Sequence, residues 1–359
     1  MPRLSPSFIM RAVAPLVFFH AIFIGRPGAA QETAPRPPAP SFADIATSDD
    51  ADQSPLQPID VAAWNGRTYV YPFSQVILQS IFGETDPDDW RPLPLSTFFS
   101  EGWREPWVPS PNGSGGAPRQ GWINAADGNL YRLWFFTFAQ AFNQGNKSNA
   151  YLGAYTIFLP FSRRLDLIIN VPFVVTNNAS SGLPIVNPTG LTTPTSRSQT
   201  TFGDMSFTPR FLLHETKSFS LTSEMVVLVP TGRQPLEGKT ALVPNVSFWN
   251  NFAGRWVIRG GIGDSIPLGG RGPDTLISQL AIGNTFTDHD VPLFGDFTLY
   301  VSAVVDTPLR QGQHTSMTLT PGMRTHLGND WYFLAGLPTP LTTQRIGDIG
   351  MIFWFMKAW

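Results

Sequence analysis

The chain contains no cysteine and few charged residues. With no Cys among its 359 residues, disulfides, iron–sulfur clusters, thiolate zinc sites and a lipid-modified N-terminal cysteine are excluded. Charged residues make up 14% of the sequence, against about 25% in an ordinary soluble domain. The formal net charge is −2 and no basic run is present, which argues against a nucleic-acid partner.

Glycine, proline and aromatic residues are abundant instead. The chain has 32 Gly and 34 Pro, and aromatic residues account for 13% of it. Turn-forming and aromatic residues are typical of short strands joined by turns. The composition therefore favours an all-β fold over a helical one.

The N-terminus has the layout of a secretory signal. Arg3 and Arg11 precede the apolar stretch AVAPLVFFHAIFIG. The small residues Gly28 and Ala30 then stand at the positions that a cleavage site before Gln31 requires. The alternative, a membrane helix, is disfavoured because the stretch contains Pro15 and falls short of about 20 residues. We expect residues 1–30 to be cleaved, and the mature chain to be exported without a membrane-spanning helix.

Two segments precede the first regular pattern. Residues 31–60 are rich in Pro, Ala and acidic residues and predict a disordered linker. Residues 61–129 are irregular and aromatic, and within them YPFSQVILQSIFGETD predicts a short amphipathic helix that ends at Gly83. The proline-broken stretch 84–122 holds four tryptophans and needs a surface to pack on. We expect it to form a plug or gate, or else a periplasmic extension of the domain that follows.

From residue 130 onwards, apolar and polar residues alternate with a period of two. In RLDLIINVPFVVT, the apolar residues from Leu165 to Val175 share one face, and Asp166, Asn170 and Thr176 share the other. The stretches GDMSFTPRFLLH, GDFTLYVSAVVD and HTSMTLTPGMRTHL repeat this pattern. Runs of this length match a tilted membrane-spanning strand of about 9–11 residues better than a soluble strand of about five or six.

About twelve such segments can be counted, and residues 130–359 therefore predict an antiparallel transmembrane outer-membrane β-barrel. The segments 275–286 and 331–337 have the weakest pattern, so that ten or fourteen strands stay open. The segments lie near 131–142, 150–160, 164–176, 202–214, 218–230, 241–252, 255–267, 275–286, 294–306, 315–327, 331–337 and 347–359. If the first strand runs outward, the longest gap, 177–200, lies outside the cell, where long loops of such barrels occur.

The polar face of the strands carries charges of both signs. A ring of one sign would indicate ion selectivity, whereas a mixed set predicts ion pairs inside the barrel that hold a plug, a polar lining of a transport path, or both. The candidate lumen-lining residues are Asp166, Asp204, Arg210, Glu224, Arg259, Asp296, Arg324 and His326.

Other motifs give little support for catalysis or cofactor binding. GGIGDSIPLGG has Gly261 and Gly263 but lacks the third glycine of a dinucleotide loop, so its glycines are expected to relieve crowding in a curved strand. His314 and Ser316 share a strand face without an orienting third group. The acidic DPDDW lacks the ligand ladder of a calcium loop, and TDHD reads as a polar loop. We predict no catalytic residue, no metal and no cofactor.

The last ten residues, GMIFWFMKAW, are apolar to the very end. Ile349, Met351, Phe353, Phe355 and Trp359 share one alternating face. A last strand that closes a barrel by pairing with the first would explain why such a terminus is not frayed. We interpret Phe353, Phe355 and Trp359 as a signal for the barrel-assembly machinery, with the lipid-facing Lys357 as a departure from its usual pattern.

One stretch resembles a known family. Gly203-Asp204 opens a strand, Pro230-Thr231-Gly232 closes the next, and a Gly-rich strand runs from Arg259 to Gly263. Over about residues 150–359 the chain resembles the outer-membrane barrel family named for a MetA pathway of phenol degradation. This resemblance implies an outer-membrane barrel that takes up aromatic or hydrophobic compounds. It supplies no functional residues, and residues 61–129 are not part of its pattern.

Taken together, the sequence predicts a channel or transporter of the cell outer membrane and not an enzyme. Its expected partners are outer-membrane lipid and a small, hydrophobic or aromatic substrate that enters by passive diffusion. Three alternatives stay open: a non-conducting structural barrel, an outer-membrane hydrolase, and a soluble secreted sandwich. The compound carried, the pore radius and the oligomeric state are left undetermined by the sequence.

Overall fold

The computed structural model describes the chain from Pro72 onwards with short gaps. The described residues are 72–144, 148–177, 199–232, 240–268, 274–310, 312–342 and 349–359. They all belong to the unit Thr68–Trp359. The predicted signal, linker and outer loop (1–30, 31–60 and most of 177–200) lie outside these residues.

Antiparallel strands make up most of the described chain. They are β1 Leu133–Gln144, β2 Ser148–Pro160, β3 Leu165–Asn177, β4 Gln199–Thr201, β5 Met205–Glu215, β6 Phe219–Val229, β7 Thr240–Ala253, β8 Trp256–Leu268, β9 Thr275–Thr285, β10 Gly295–Pro308, β11 Ser316–Gly328, β12 Trp331–Gly336, β13 Thr339–Pro340 and β14 Gly350–Ala358.

The strands close into a twelve-stranded barrel. Each long strand pairs with its neighbours in chain order, β10 pairs with β11, and β14 pairs with β1 to complete the ring. The short β4 and β13 extend this ring along β3 and β11. The twelve predicted strands are confirmed, including the two weakest, which are β9 and β12. The C-terminal strand is the closing edge, as its pattern predicted.

The two ends of the barrel differ in their connections. One end, here the turn end, carries the connections 161–164, 216–218, 254–255, 286–294 and 329–330. The β11–β12 turn there has Asn329 and Asp330 at φ 49° and 56°, the left-handed pair that a tight hairpin requires. The other end, the loop end, carries the connections that contain the gaps. Both β1 and the C-terminus reach the turn end.

The two faces of the wall follow the predicted alternation. On β3, Leu165, Leu167 and Ile169 face outward, while Asp166 and Asn170 are buried inside. Large apolar side chains stay exposed on the outer faces of six strands, β1, β3, β7, β9, β10 and β14, among them Phe136, Phe173, Val246, Ile282, Leu299 and Phe355. At the turn end this surface carries tryptophans 134, 256, 331 and 359. An apolar band with aromatic residues at its edge is typical of a lipid-facing barrel wall.

The N-terminal described segment begins with the predicted helix. Helix α1, Phe73–Phe82, ends at Gly83 and buries Val76 and Ser80. Two single 3₁₀ turns follow, at Pro87–Asp89 and Leu95–Thr97. No helix among the described residues is long and apolar enough to cross a membrane.

Candidate functional site in the barrel lumen

A stretch of the N-terminal segment enters the barrel from the turn end. The backbone N–H of Gly115 donates to Asn251, beside the β7–β8 turn, at 3.2 Å. The chain then crosses the lumen and leaves at Arg132, where β1 begins on the far side of the ring. We call residues 119–129 the inserted segment. Its deepest contacts reach Ser302 and Thr320, near the middle of β10 and β11.

Arg259 on β8 binds the inserted segment at three points. Its Nε donates to the carbonyl oxygen of Ala126 at 2.7 Å, and its Nη1 donates to that of Gln120. Its Nη2 lies 2.6 Å from the Asp127 carboxylate. The guanidinium also lies 5.3 Å from the centre of the Trp122 ring. A fully buried arginine thus takes its partners from the inserted segment and not from the barrel wall.

β10 supplies a second set of contacts. The rings of Trp122 and Tyr300 stack in parallel at 4.9 Å. The Tyr300 hydroxyl accepts the backbone N–H of Ile123 at 3.0 Å, and Ser302 donates to the Ile123 carbonyl at 3.0 Å. Both backbone groups of Ile123 are therefore satisfied by side chains of one strand, as a buried irregular segment requires.

β5 and β6 bind the end of the inserted segment. Arg210 Nε donates to Glu224 at 2.8 Å, and Arg210 Nη1 donates to the Asn129 carbonyl at 2.9 Å. Ser220 donates to the Asn129 side-chain oxygen at 2.7 Å. Arg210 and Glu224, both predicted to face inward, thus pair across two strands, and Arg210 also contacts the inserted segment.

Glu215, the last residue of β5, anchors the chain where it meets the turn end. Its carboxylate lies 2.9 Å from Arg119 and 3.3 Å from Arg163, and all three side chains are buried. Trp90 and Ser110 donate to the same carboxylate. Burial lowers the pKa of both guanidinium groups, and the charge of Glu215 opposes that shift. One carboxylate therefore joins three parts of the N-terminal segment to the barrel.

Glycines let the inserted segment approach the wall. A Cβ on Gly128 would lie 2.5 Å from the backbone of β7, and one on Gly261 would lie 2.7 Å from the Ala126 side chain. A Cβ on Gly283 would lie 2.8 Å from the Trp122 ring. The glycines of β8 and β9 thus leave room for the inserted segment. The sequence predicted that the β8 glycines relieve crowding in a curved strand, but it did not predict that they face another part of the chain.

A partly open cavity remains beside the inserted segment, with about 90 Å³ of space for the centre of a water-sized molecule. Its apolar wall comes from β14, β1, β2 and β3, with Phe135 and Trp354 stacked at 4.4 Å. The other apolar residues of this wall are Leu133, Phe158, Ile168 and Met356. The facing wall is polar, with Thr208, Arg210, Glu224 and Asn245 among its residues. Such a cavity can bind a small molecule that has an apolar body and a polar group.

An aliphatic cluster lies in the lumen towards the loop end. Val226, Val243, Ile277 and Val304 lie on the inner faces of β6, β7, β9 and β10 and form one buried cluster. Val226 also borders the cavity. Buried polar residues such as Ser265 and Thr318 lie at the same end, so that the inner surface there is mixed and not purely apolar.

The eight predicted lumen residues do not form one site. Arg210, Glu224 and Arg259 contact or border the inserted segment, and Asp166 lies opposite Arg210 in the β3–β5 register. At the turn end, Asp296 lies 2.7 Å from His289, whose ring stacks on that of His326 at 4.1 Å. Arg324 lies 4.2 Å above the ring of Tyr332.

Asp204 lies at the opposite end, near the loops, and has a structural contact. Its carboxylate accepts the backbone N–H of Gly232 at 2.8 Å. The Thr231 hydroxyl donates to the Gly203 carbonyl at 3.0 Å and accepts the Met205 N–H at 2.9 Å. Two of the three motifs that carry the family resemblance therefore bind each other and join the start of β5 to the end of β6.

The part of the chain that enters the lumen differs from the predicted plug. Of residues 84–122 only the end lies inside, whereas 84–116 lie at the turn end and 123–129 supply most contacts with the wall. The prediction of a plug at 84–122 rested on aromatic residues, which indicate a stretch that packs on a surface but not where that surface lies. The inserted part is distinguished by Gly128 and by small or amide side chains, which permit close approach of two backbones.

The motifs weighed for catalysis or metal binding have other contacts. Ser316 donates to Asp306 at 3.4 Å, while His314 is exposed. Asp288 pairs with Arg255. Within the described ranges, no group of three or more side chains is placed to hold a metal ion.

Comparisons with known proteins add little to this picture. Neither a family model nor a curated protein matches the sequence. Among solved structures, the chain is similar to an outer membrane channel from Pseudomonas putida F1, with a TM-score of 0.46 and 11% identity over 67% of this chain and 99% of that one. The barrel assignment stands on strand pairing, and the family resemblance stays a prediction.

Proposed function

We propose that the chain is an outer-membrane channel through which small compounds with an apolar or aromatic part diffuse passively. The observation that carries this proposal is the cavity between the inserted segment and the apolar wall of β14, β1, β2 and β3. A barrel with a purely structural role has no need of such a space. The apolar cluster around Val304, towards the loop end, suits the same class of compound because it lowers the affinity of the path for ions.

Several features support the location. The outer face is apolar with tryptophans at the turn end, and short turns are typical of the periplasmic end of such barrels. In this arrangement the loop end faces the outside of the cell, the N-terminal segment lies in the periplasm, and the signal of residues 1–30 directs export. Phe353, Phe355 and Trp359 on the outer face of β14 would be read by the barrel-assembly machinery.

Influx into vesicles tests the proposal. Lipid vesicles containing the full chain are assayed for swelling in p-nitrophenyl glucoside and, as a control of similar size without an aromatic ring, in cellobiose. We expect faster swelling in the aromatic glycoside. A variant in which the inserted segment, residues 119–129, is replaced by a Gly-Ser stretch of equal length is expected to admit both solutes and to conduct ions in planar bilayers.

The opposite results separate the alternatives. If neither form admits either solute or conducts ions, although both insert and close, the barrel is structural. If the full chain admits both solutes equally, it is a general pore without the proposed preference.

A further inference from the structure

Helix α1 exposes apolar side chains that the barrel does not cover. It contains no charged residue in its first or last turn, and its sequence is FSQVILQSIF. Phe73, Leu78 and Phe82 are 44%, 57% and 77% exposed. Three large apolar side chains on a ten-residue helix need a partner other than water.

The residues that hold α1 belong to the outer surface of the barrel. The Trp359 indole donates to the Ile81 carbonyl at 3.1 Å, and Arg132 Nη1 donates to the Gly83 carbonyl at 2.8 Å. Residues 359 and 132 continue the outward-facing alternation of Phe355 on β14 and of Trp134 on β1. The buried Ser80 hydroxyl of α1 also accepts the backbone N–H of Trp107 at 2.9 Å. α1 is therefore attached to the rim both from its lipid-facing side and through the N-terminal segment itself.

A second exposed apolar group lies further along the same segment. Leu95 and Phe99 are 55% and 93% exposed. Phe99 contacts Phe98, which contacts Trp103, and the Trp103 ring lies 6.1 Å from that of Phe211. Phe211 lies on the outward-facing alternation of β5. This group also joins the outer surface at the turn end, a short way around the rim from α1.

The turn between these two groups is acidic. Glu84, Asp86 and Asp88 are exposed in the stretch that links α1 to the second 3₁₀ turn. Apolar and acidic side chains are thus separated along one short exposed segment.

We propose that Phe73, Leu78, Phe82, Leu95 and Phe99, together the rim patch, insert into the lipid leaflet at the turn end. The occupant is lipid because the rim patch continues the lipid-facing surface through Trp359 and Phe211. The inference rests on the proposed location in a membrane. It makes the N-terminal segment a membrane contact in addition to the part that enters the lumen.

The absence of cysteine allows a direct test. Single-cysteine variants Phe82→Cys and Phe99→Cys of the full chain are labelled with a nitrobenzoxadiazole fluorophore and placed in vesicles that contain nitroxide-labelled lipid. Asp88→Cys is the matched control on the acidic turn, and Leu299→Cys on the outer face of β10 is the positive control. We expect nitroxide quenching at positions 82 and 99 to be at least half of that at 299 and well above that at 88.

Two results would overturn the proposal. One is quenching at 82 and 99 no greater than at 88 while 299 is quenched. The other is shielding of both probes from lipid nitroxide and from aqueous iodide, which would show a protein cover. Absence of quenching at 299 in correctly closed barrels would instead refute the membrane location itself. Barrel closure in each labelled variant is verified by electrophoresis in SDS without heating, in which a closed barrel stays folded and migrates differently from the heated, unfolded chain.

Discussion

The two sides of the lumen are built differently. On the held side, formed by β5–β8, β10 and β11, the wall binds the inserted segment through Arg210, Arg259, Ser302 and Thr320. On the open side, formed by β14 and β1–β3, the wall is mainly apolar and borders the cavity, with Thr156 and Asn170 as its polar members. Polar contacts fix the position of the inserted segment, whereas the cavity lies beside the mainly apolar wall. Under the proposed function, retention of the segment and passage of solute would use different strands.

This division has a mechanistic consequence. Expelling the inserted segment requires breaking buried ion pairs and hydrogen bonds that have no replacement in the lumen. Movement of a small molecule along the open side requires none of these to break. We therefore expect passage to occur with the segment in place, and mutations on the two sides to have separable effects.

The largest effect is expected from Glu215→Ala, at the anchor of the held side. Removing the carboxylate leaves Arg119 and Arg163 buried without their counter-ion, which costs about 3–5 kcal/mol. We expect trypsin to cleave the N-terminal segment of the reconstituted protein about 10²-fold faster or more, since each 1.4 kcal/mol corresponds to about a tenfold change in the open population.

The control is Glu101→Ala, which removes a half-exposed partner of Arg91. An exposed pair contributes about 1 kcal/mol or less, so that cleavage should change by less than about tenfold. Equal acceleration in the two variants would show that Glu215 is not the anchor.

A smaller effect is expected inside the lumen, from Arg259→Met. The change removes the ion pair with Asp127 and the hydrogen bonds to two carbonyls of the inserted segment, at a cost of about 2–3 kcal/mol. Asp127→Asn keeps the carbonyl bonds and should cost about 1–2 kcal/mol. The trypsin assay checks this order, and channel openings in planar bilayers should become more frequent in the same order. Equal effects would mean that the carbonyl contacts do not hold the segment.

The sequence predicts the wall of this barrel far better than its contents. Alternation with a period of two is a local property, and most of the twelve long strands carry their own signal for which side chains face outward, β9 and β12 least clearly. The short β4 and β13 were not predicted. The contacts of Arg259 are not local, because Gln120, Ala126 and Asp127 lie more than 130 residues away. The mixed inward charges indicated ion pairs and a plug. They could not indicate that Arg259 would bind backbone carbonyls, which have no signature in the sequence.

The role of Glu215 could not be predicted from the sequence either, because it too depends on residues that are distant in the chain. As the second residue of the turn sequence HETK, at the end of a strand, it resembles any surface acid. It becomes a buried anchor only because the fold brings Arg119 and Arg163 to its carboxylate. Gly128 and Gly261 carried a weak signal, since glycine in or near a strand marks close backbone approach, but the approaching partner could not be named.

The smallest effect on retention of the inserted segment is expected from Trp354→Leu on the open side. This variant is also the sharpest test of the difference between the held side and the open side. The change removes the stack with Phe135 and widens the cavity, at a cost of about 0.5–1.5 kcal/mol beyond the loss of buried area. Because Trp354 makes none of the bonds that hold the inserted segment, the trypsin rate should stay at its original value while influx of p-nitrophenyl glucoside rises. Phe353→Leu, the adjacent residue on the outer face, is the matched control and should change neither rate. An increase in trypsin cleavage in Trp354→Leu, or unchanged influx, would show that the two sides of the lumen do not act separately.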